Sequence, residues 1–317
     1  MSPLAPSIAC RVLSLDGGGA KGFYTLGVLE ELEALLGGQP MWQKFDLIFG
    51  TSTGAIIAAL LALGRSTADI HCLYKEHVPT VMQPKSAKAK SAALEKLSKV
   101  IFPTETFKDV KTGIGIVATR WDFERPMIFK GSVKQAHGQT HSFVPGFGFT
   151  IADAVRASCS AYPYFERPIL TTDKGERVEL FDGGYSANNP TLFAIADAIM
   201  ALNHPPVSVR VVSVGVGVYP EPRRLAARLR ALLARSVIDV QLVQKTLNVN
   251  TTSMEQLTNI FFKNEIPIVR INDTFHQPEM ATDFLESDVT KLNTLYQRGR
   301  QSFAKHEAEI KTLLNIA

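Results

Sequence analysis

Short apolar runs bounded by glycine clusters alternate along this chain with longer stretches in which apolar residues recur every three or four positions. Arg11-Val12-Leu13-Ser14-Leu15 and Asp46-Leu47-Ile48-Phe49 are runs of the first kind, and they predict strands buried on both faces. Between them, Phe23 to Leu36 keeps a helical period and stops at Gly37-Gly38. The same reading gives helices over Ala55–Leu63, Thr67–Val78, Ala87–Val100, Ile151–Ala157 and Thr191–Leu202, the last starting behind Pro190. Further strands fall at Gly113–Thr119, Pro126–Phe129, Val178–Phe181 and Val209–Gly215. Strands alternating with helices predict an α/β fold with a mostly parallel sheet.

Two stretches break the alternation. Gly131 to Gly148 holds His137, His141, Pro145 and several glycines, and reads as a long loop of the kind that serves as a lid or binding loop. Beyond Gly217 the character changes at Pro220 and Pro222. A helix over Arg223–Leu233, a helical pattern running on to Phe262, a strand at Ile268–Ile271 and terminal helices over Leu285–Leu314 follow. The expected division is therefore 1–217 as one domain and 218–317 as a mainly helical extension packed on it.

Composition narrows the classes. With 317 residues, 45% hydrophobic and 20% charged, the chain can bury a sizeable core and is neither disordered nor membrane-spanning in type. No apolar run reaches the roughly 18 to 20 residues that cross a bilayer, and Met1 to Cys10 is too short and proline-broken for a signal peptide, so a cytoplasmic protein is expected. Cys10, Cys72 and Cys159 are widely spaced and support neither a disulfide framework nor a zinc site. A net charge of +4 does not suggest a DNA or RNA partner. The lysines between Lys85 and Lys99 and the arginines between Arg223 and Arg235 are nevertheless concentrated, fitting solvated helix faces, an anionic membrane surface or an anionic ligand.

Three glycine-rich turns carry the candidate chemistry. Gly50-Thr51-Ser52-Thr53-Gly54 follows a strand and opens a helix, which is the sequence form of a nucleophile elbow with Ser52 on a strained turn at a helix N-terminus. A plain turn between two buried elements fits the same pentapeptide. Gly17, Gly19 and Gly22 match a dinucleotide-binding spacing, but the next strand ends in Gly50-Thr51-Ser52 rather than in the acidic residue that would hold a ribose. The same glycines can instead turn backbone N–H groups into a pocket beside the neighbouring strand end, as an oxyanion hole requires. Asp182, at a strand end before Gly183-Gly184, is either a turn former or a general base with unobstructed access to a partner.

Taken together, Asp16-Gly17-Gly18-Gly19-Ala20-Lys21-Gly22, Gly50-Thr51-Ser52-Thr53-Gly54 and Asp182-Gly183-Gly184, in this order, resemble the patatin-like phospholipase family. The resemblance covers about Arg11 to Leu202, and Asp153 to Phe165 and Asn188-Asn189-Pro190 are similar to flanking family patterns. It implies a three-layer α/β/α sandwich in which Ser52 is the nucleophile, Asp182 its base, and the amides of Gly17, Gly18 and Gly19 the oxyanion hole. Asp16, Lys21, Gly22, Gly50, Gly54 and Gly183 are the supporting motif positions, Lys21 standing where arginine is common. No cofactor or metal is implied for catalysis. A narrower resemblance, carried by length, the compact two-glycine elbow region and the basic helical C-terminal part, is to bacterial patatin-like effectors of CBASS antiphage systems. Those enzymes degrade membrane phospholipids once a cyclic dinucleotide binds. This implies action on the inner membrane surface, peripheral membrane contact and a homo-oligomer or activated assembly. Tyr24, Arg224, Arg228 and Trp121 are chemically suited to a dianionic ligand with stacking bases.

Two rivals remain at this level. A Ser-His-Asp hydrolase could draw on His204 or His276, although its elbow normally follows several strands rather than the second. A non-catalytic lipid- or nucleotide-binding module on the same fold would have no need of all three glycine motifs together.

Overall fold

The computed structural model describes residues 9–219, 235–277 and 282–316. The helix expected over Arg223–Leu233, with Arg224 and Arg228, lies outside the described residues. The strands are β1 (Cys10–Leu15), β2 (Leu47–Thr51), β3 (Gly113–Arg120), β4 (Arg125–Lys130), β5 (Ile169–Thr171), β6 (Arg177–Asp182), β7 (Val209–Val214) and β8 (Ile268–Ile271). Across the sheet they run β5-β6-β3-β2-β1-β7-β8, with β4 also paired to β3. The five strands β1, β2, β3, β7 and β8 are parallel, and β4 and β6 lie antiparallel to β3.

The helices are α1 (Gly22–Leu35), α2 (Met41–Lys44), α3 (Thr53–Leu63), α4 (Thr67–Met82), α5 (Ala87–Ile101), α6 (Ile151–Ser158), α7 (Gly184–Ala187), α8 (Thr191–Ala196), α9 (Arg235–Phe262) and α10 (Val289–Leu314). Alternation along the parallel strands divides the core into two layers. Leu13, Leu15, Ile48, Val212 and Val214 pack toward α1, α3 and α10, whereas Cys10, Val12, Leu47, Phe49, Val209 and Val211 pack toward α8 and Phe262 of α9. The result is the expected three-layer α/β/α sandwich.

The chain beyond 218 supplies parts of each layer. Its strand β8 pairs with β7 from Val211↔Ile268 to Val214↔Ile271. Its helix α10 crosses α1 where each has a glycine. A methyl group at Gly27 would lie 2.0 Å from the Tyr296 carbonyl oxygen, and one at Gly299 would lie 2.1 Å from that of Tyr24. Only glycine on both helices permits that approach.

Two local expectations shift. The helix expected to stop at Val78 runs on to Met82 with Pro79 inside it, because Val81 and Met82 find apolar partners beyond the proline. Packing there outweighs one lost backbone hydrogen bond. The stretch from Gly131 to Gly148 contains three short 3₁₀ turns. It is tied down by the buried carboxylate of Asp197, which accepts from Lys130 Nζ at 2.5 Å and Gln135 Nε2 at 2.9 Å, with His137 Nε2 at 2.6 Å.

Candidate active site

Sheet register brings Ser52 and Asp182 together. β2 pairs with β3 up to Thr51↔Val117, and the next residue of β3, Ala118, pairs with Asp182. β6 thus takes the edge of β3 that β2 vacates when the chain turns at Ser52. That turn has φ 53° and ψ −123° at Ser52, a strained conformation for a residue with a side chain. Glycines flank it for steric reasons: a methyl group at Gly50 would lie 2.2 Å from the Gly54 carbonyl oxygen, and one at Gly54 would lie 2.3 Å from that of Leu15. Ser52 Oγ donates to Asp182 Oδ2 at 2.9 Å. Its backbone N–H donates to Ser158 Oγ at 2.8 Å, and Ser158 donates in turn to the Val117 carbonyl at 2.5 Å.

Asp182 is 2% exposed. Burial pushes its carboxyl up to about 7, against the opposing pull of hydrogen bonds from the Gly184 N–H and from Ser52. The Gly184 N–H reaches Oδ1 at 2.7 Å, leaving Oδ2 to Ser52. Gly183 is required by packing, since a methyl group there would lie 2.0 Å from the Val117 carbonyl oxygen.

The glycine loop after β1 closes the other side. Asp16 is buried and held by Arg270 of β8 through two hydrogen bonds of 2.9 and 2.5 Å, and Arg270 also donates to Ser213 at 2.9 Å. The Gly17 N–H, expected among the oxyanion amides, is already committed to the Asn188 carbonyl at 2.9 Å. The N–H groups of Gly18 and Gly19 have no acceptor among the described residues, and both glycines line the pocket beside Ser52. Gly19 adopts φ +57° with the Phe284 carbonyl 2.2 Å from where a methyl group would stand. Gly22 lets α1 start against α3, its would-be methyl lying 2.4 Å from Thr53 Oγ1. Lys21 is buried, and burial lowers its ammonium to about 8 against the pull of Asp283.

Around these polar groups the pocket is apolar. Ile56 of α3, Val78, Val81 and Met82 of α4, Leu94 and Leu97 of α5, Phe165, Leu247 of α9 and Phe284 form its walls. Sequence reasoning missed this lining. The lysine-rich stretch stands out for its charges, although Leu94 and Leu97 at i, i+3 already mark an inward face. Ser158 belongs to none of the three glycine motifs, and Leu247 sits on a helix remote from all of them.

Other candidates are placed elsewhere. Tyr24 is fully buried between Phe275 and Gly217 and accepts the Asp273 N–H at 3.2 Å, so it is not available to stack on a nucleotide base. Trp121 is 41% exposed with the Arg167 guanidinium 3.8 Å above its ring. No histidine lines the pocket, and His204 borders a separate groove with Asp46 and Lys111, so the Ser-His-Asp alternative lacks its histidine among the described residues. Nor do the described residues gather three or more His, Cys, Asp or Glu side chains that could hold a metal ion. No described helix is long and apolar enough to cross a membrane.

The arrangement can transfer an acyl group: a serine hydroxyl bonded to a buried carboxylate, two amides without an acceptor among the described residues, and a hydrocarbon-lined pocket. The family model described as patatin-like phospholipase matches residues 13–195. A cUMP-AMP-activated phospholipase of Escherichia coli is 61% identical, over 96% of this chain and 94% of its own length. A cGAMP-activated phospholipase of Pseudomonas aeruginosa is 31% identical over 58% of this chain and 55% of its own length. A cGAMP-activated phospholipase of Vibrio cholerae is 26% identical over 94% of this chain and 92% of its own length.

Proposed function

Since the chain belongs to the patatin-like phospholipase family, we propose that it hydrolyses acyl esters of membrane phospholipids through Ser52 and Asp182, and does so when a cyclic dinucleotide binds. The observation that carries the chemistry is the 2.9 Å hydrogen bond from Ser52 Oγ to Asp182 Oδ2 at the floor of an apolar pocket. The relative named for activation by cUMP-AMP is 61% identical over nearly the whole chain, which supports a uridine- and adenosine-containing activator. Arg224 and Arg228 remain candidate contacts for it. Residues 1–217 hold the chemistry in this reading, and 218–317 pack on the same domain.

The acyl chain lies against the apolar wall while the headgroup stays toward water. Ser52 Oγ attacks the ester carbonyl as its proton passes to Asp182 Oδ2, and the carbonyl electron pair moves onto oxygen. The N–H groups of Gly18 and Gly19 hold that oxyanion, and losing one such donor costs roughly 3 to 4 kcal/mol of barrier in comparable sites. Collapse breaks the bond to the glycerol oxygen, which takes the proton from Asp182 and leaves as lysophospholipid. Water then attacks the acyl-serine, giving its proton to Asp182. The second collapse releases the fatty acid and returns the proton to Ser52. A carboxyl lifted to about 7 is suited to both directions of transfer near neutral pH. The consequence in the cell is loss of membrane integrity, as antiphage defence by self-damage would require.

The test is fatty-acid release from a fluorogenic phospholipid by the wild type and Ser52→Ala, each with and without a panel of cyclic dinucleotides. Serine-dependent release with one nucleotide is expected. Equal release without any nucleotide removes the activation, and no serine-dependent release under any condition overturns the enzyme reading.

A further inference from the structure

Asn188 follows α7 directly and is 4% exposed. It grips both sides of Gly17: its carbonyl accepts the Gly17 N–H at 2.9 Å, and its Nδ2 donates to the Gly17 carbonyl at 3.1 Å. A glycine held at both peptide groups cannot swing, so the direction of the next two amides, Gly18 and Gly19, is inherited from this grip. Asn188 is held in turn by α9. Its N–H donates to Asn250 Oδ1 at 2.7 Å, and its Nδ2 donates a second time, to Thr251 Oγ1, at 2.7 Å. Asn250 Nδ2 also donates to the Ser186 and Tyr185 carbonyls of α7, at 3.1 and 3.4 Å. One helix therefore holds the loop that presents the free amides and the turn that follows Asp182.

The orientation of the Asn188 amide is over-determined. With Nδ2 committed to Gly17 and Thr251, its Oδ1 is buried without a partner among the described residues. An unpaired buried acceptor persists only where the opposite side of the amide is fixed by stronger demands. The hydroxyl of Thr251 donates to the Leu247 carbonyl at 3.0 Å, so it presents its lone pairs rather than its proton to Asn188.

We propose that Asn250 and Thr251 are positioning residues for acyl transfer: through Asn188 they set the Gly18 and Gly19 amides where the oxyanion develops, so a shift of α9 disables the site while Ser52 and Asp182 stay in place. This rests on the serine–aspartate reading of the site. Amides aimed at developing charge act in the transition state and not in substrate binding, so the effect falls on kcat rather than on KM.

Thr251→Val removes the hydroxyl at nearly constant volume. Under fully activating conditions it is expected to lower kcat about tenfold or more with KM within about twofold, the signature of a lost transition-state contact. The affinity for a fatty-acyl trifluoromethyl ketone, whose adduct with serine carries an oxyanion, falls by a similar factor. Binding of a non-hydrolysable ether phospholipid does not change, and Thr251→Ser restores both kcat and ketone affinity. Wild-type kcat in Thr251→Val overturns the proposal, as does a fall in kcat with unchanged ketone affinity. Should Thr251→Val not fold, Thr251→Ala and Asn250→Asp carry the same comparison. Failure of the underlying reading looks different, because the wild type itself then shows no Ser52-dependent hydrolysis.

Discussion

The elbow at β2–α3 and the chain beyond residue 218 both hold the proposed site, but they are built by different means. At the elbow the glycines are demanded by close backbone approach. Gly50 and Gly54 exist because the strand end, the first turn of α3 and the end of β1 approach within the reach of a single methyl group. In the C-terminal part the constraints come from isolated side chains reaching across the fold: Arg270 to Asp16, Asn250 and Thr251 to Asn188, Leu247 to the pocket wall. A short motif fixes where the nucleophile is. A distributed set of contacts fixes whether the groups around it are in register.

The comparison is broken most severely at the elbow. Gly54→Ala places a methyl group 2.3 Å from the Leu15 carbonyl oxygen and 2.7 Å from that of Asp16, with no flexible side chain to yield. A loss of about 100-fold or more in kcat/KM is expected from displacement of the turn. Destabilisation of roughly 3 kcal/mol, the upper end for overpacking, should accompany it. Steady-state kinetics and a denaturant melt read the two. Near-normal activity would mean that the elbow is as adjustable as a surface turn.

A smaller loss of activity is expected from Arg270→Met, which touches no reacting atom. It leaves the Asp16 carboxylate buried without its cation, and breaking such a pair costs about 3–5 kcal/mol of stability. Hydrolysis per folded molecule should fall by about tenfold, because the loop of free amides starts at Asp16. The double variant with Asp16→Asn removes the stranded charge and should recover much of the melting temperature. If Arg270→Met alone melts like the wild type, the C-terminal part is packed on the site without supporting it.

This division explains what is legible in the sequence. Hydrophobic period places most of the described strands and helices, and glycine spacing places Ser52, Asp182 and the loop between Asp16 and Gly22. A row of glycines says nothing about which N–H already has an acceptor, so the motif offers Gly17 as a free amide; its acceptor is a carbonyl 171 residues away. Tyr24 looks available to a ligand as an aromatic beside a basic loop, whereas Gly217 and Phe275 close over its ring. Neither Thr251 nor Arg270 stands in a motif. Their partners are set by the packing of α9 and by the register of β8 on β7, which one sequence does not display.

The two regions meet at Asp182, and its titration measures how they share it. Its carboxyl is lifted from the ordinary 3.8 to about 7 by burial, so folding favours the protonated form. The stabilisation that follows is full below the unfolded value and is lost as pH rises from about 4 toward 7, at about 1.4 kcal/mol per pH unit across that window. Activity runs the other way, since attack by Ser52 needs the carboxylate, and kcat/KM should climb with pH and level off above about 7. Asp182→Asn stays neutral at every pH. Its melting temperature relative to the wild type should therefore increase between about pH 4 and about pH 8, which thermal melts across that range would read. Parallel melting curves would mean that the elbow's hydrogen bond alone keeps the carboxyl at its ordinary value. A widening gap that shrinks once Asn250→Ala is added would assign part of the burial to α9, because Asn250 holds the turn that shields Asp182.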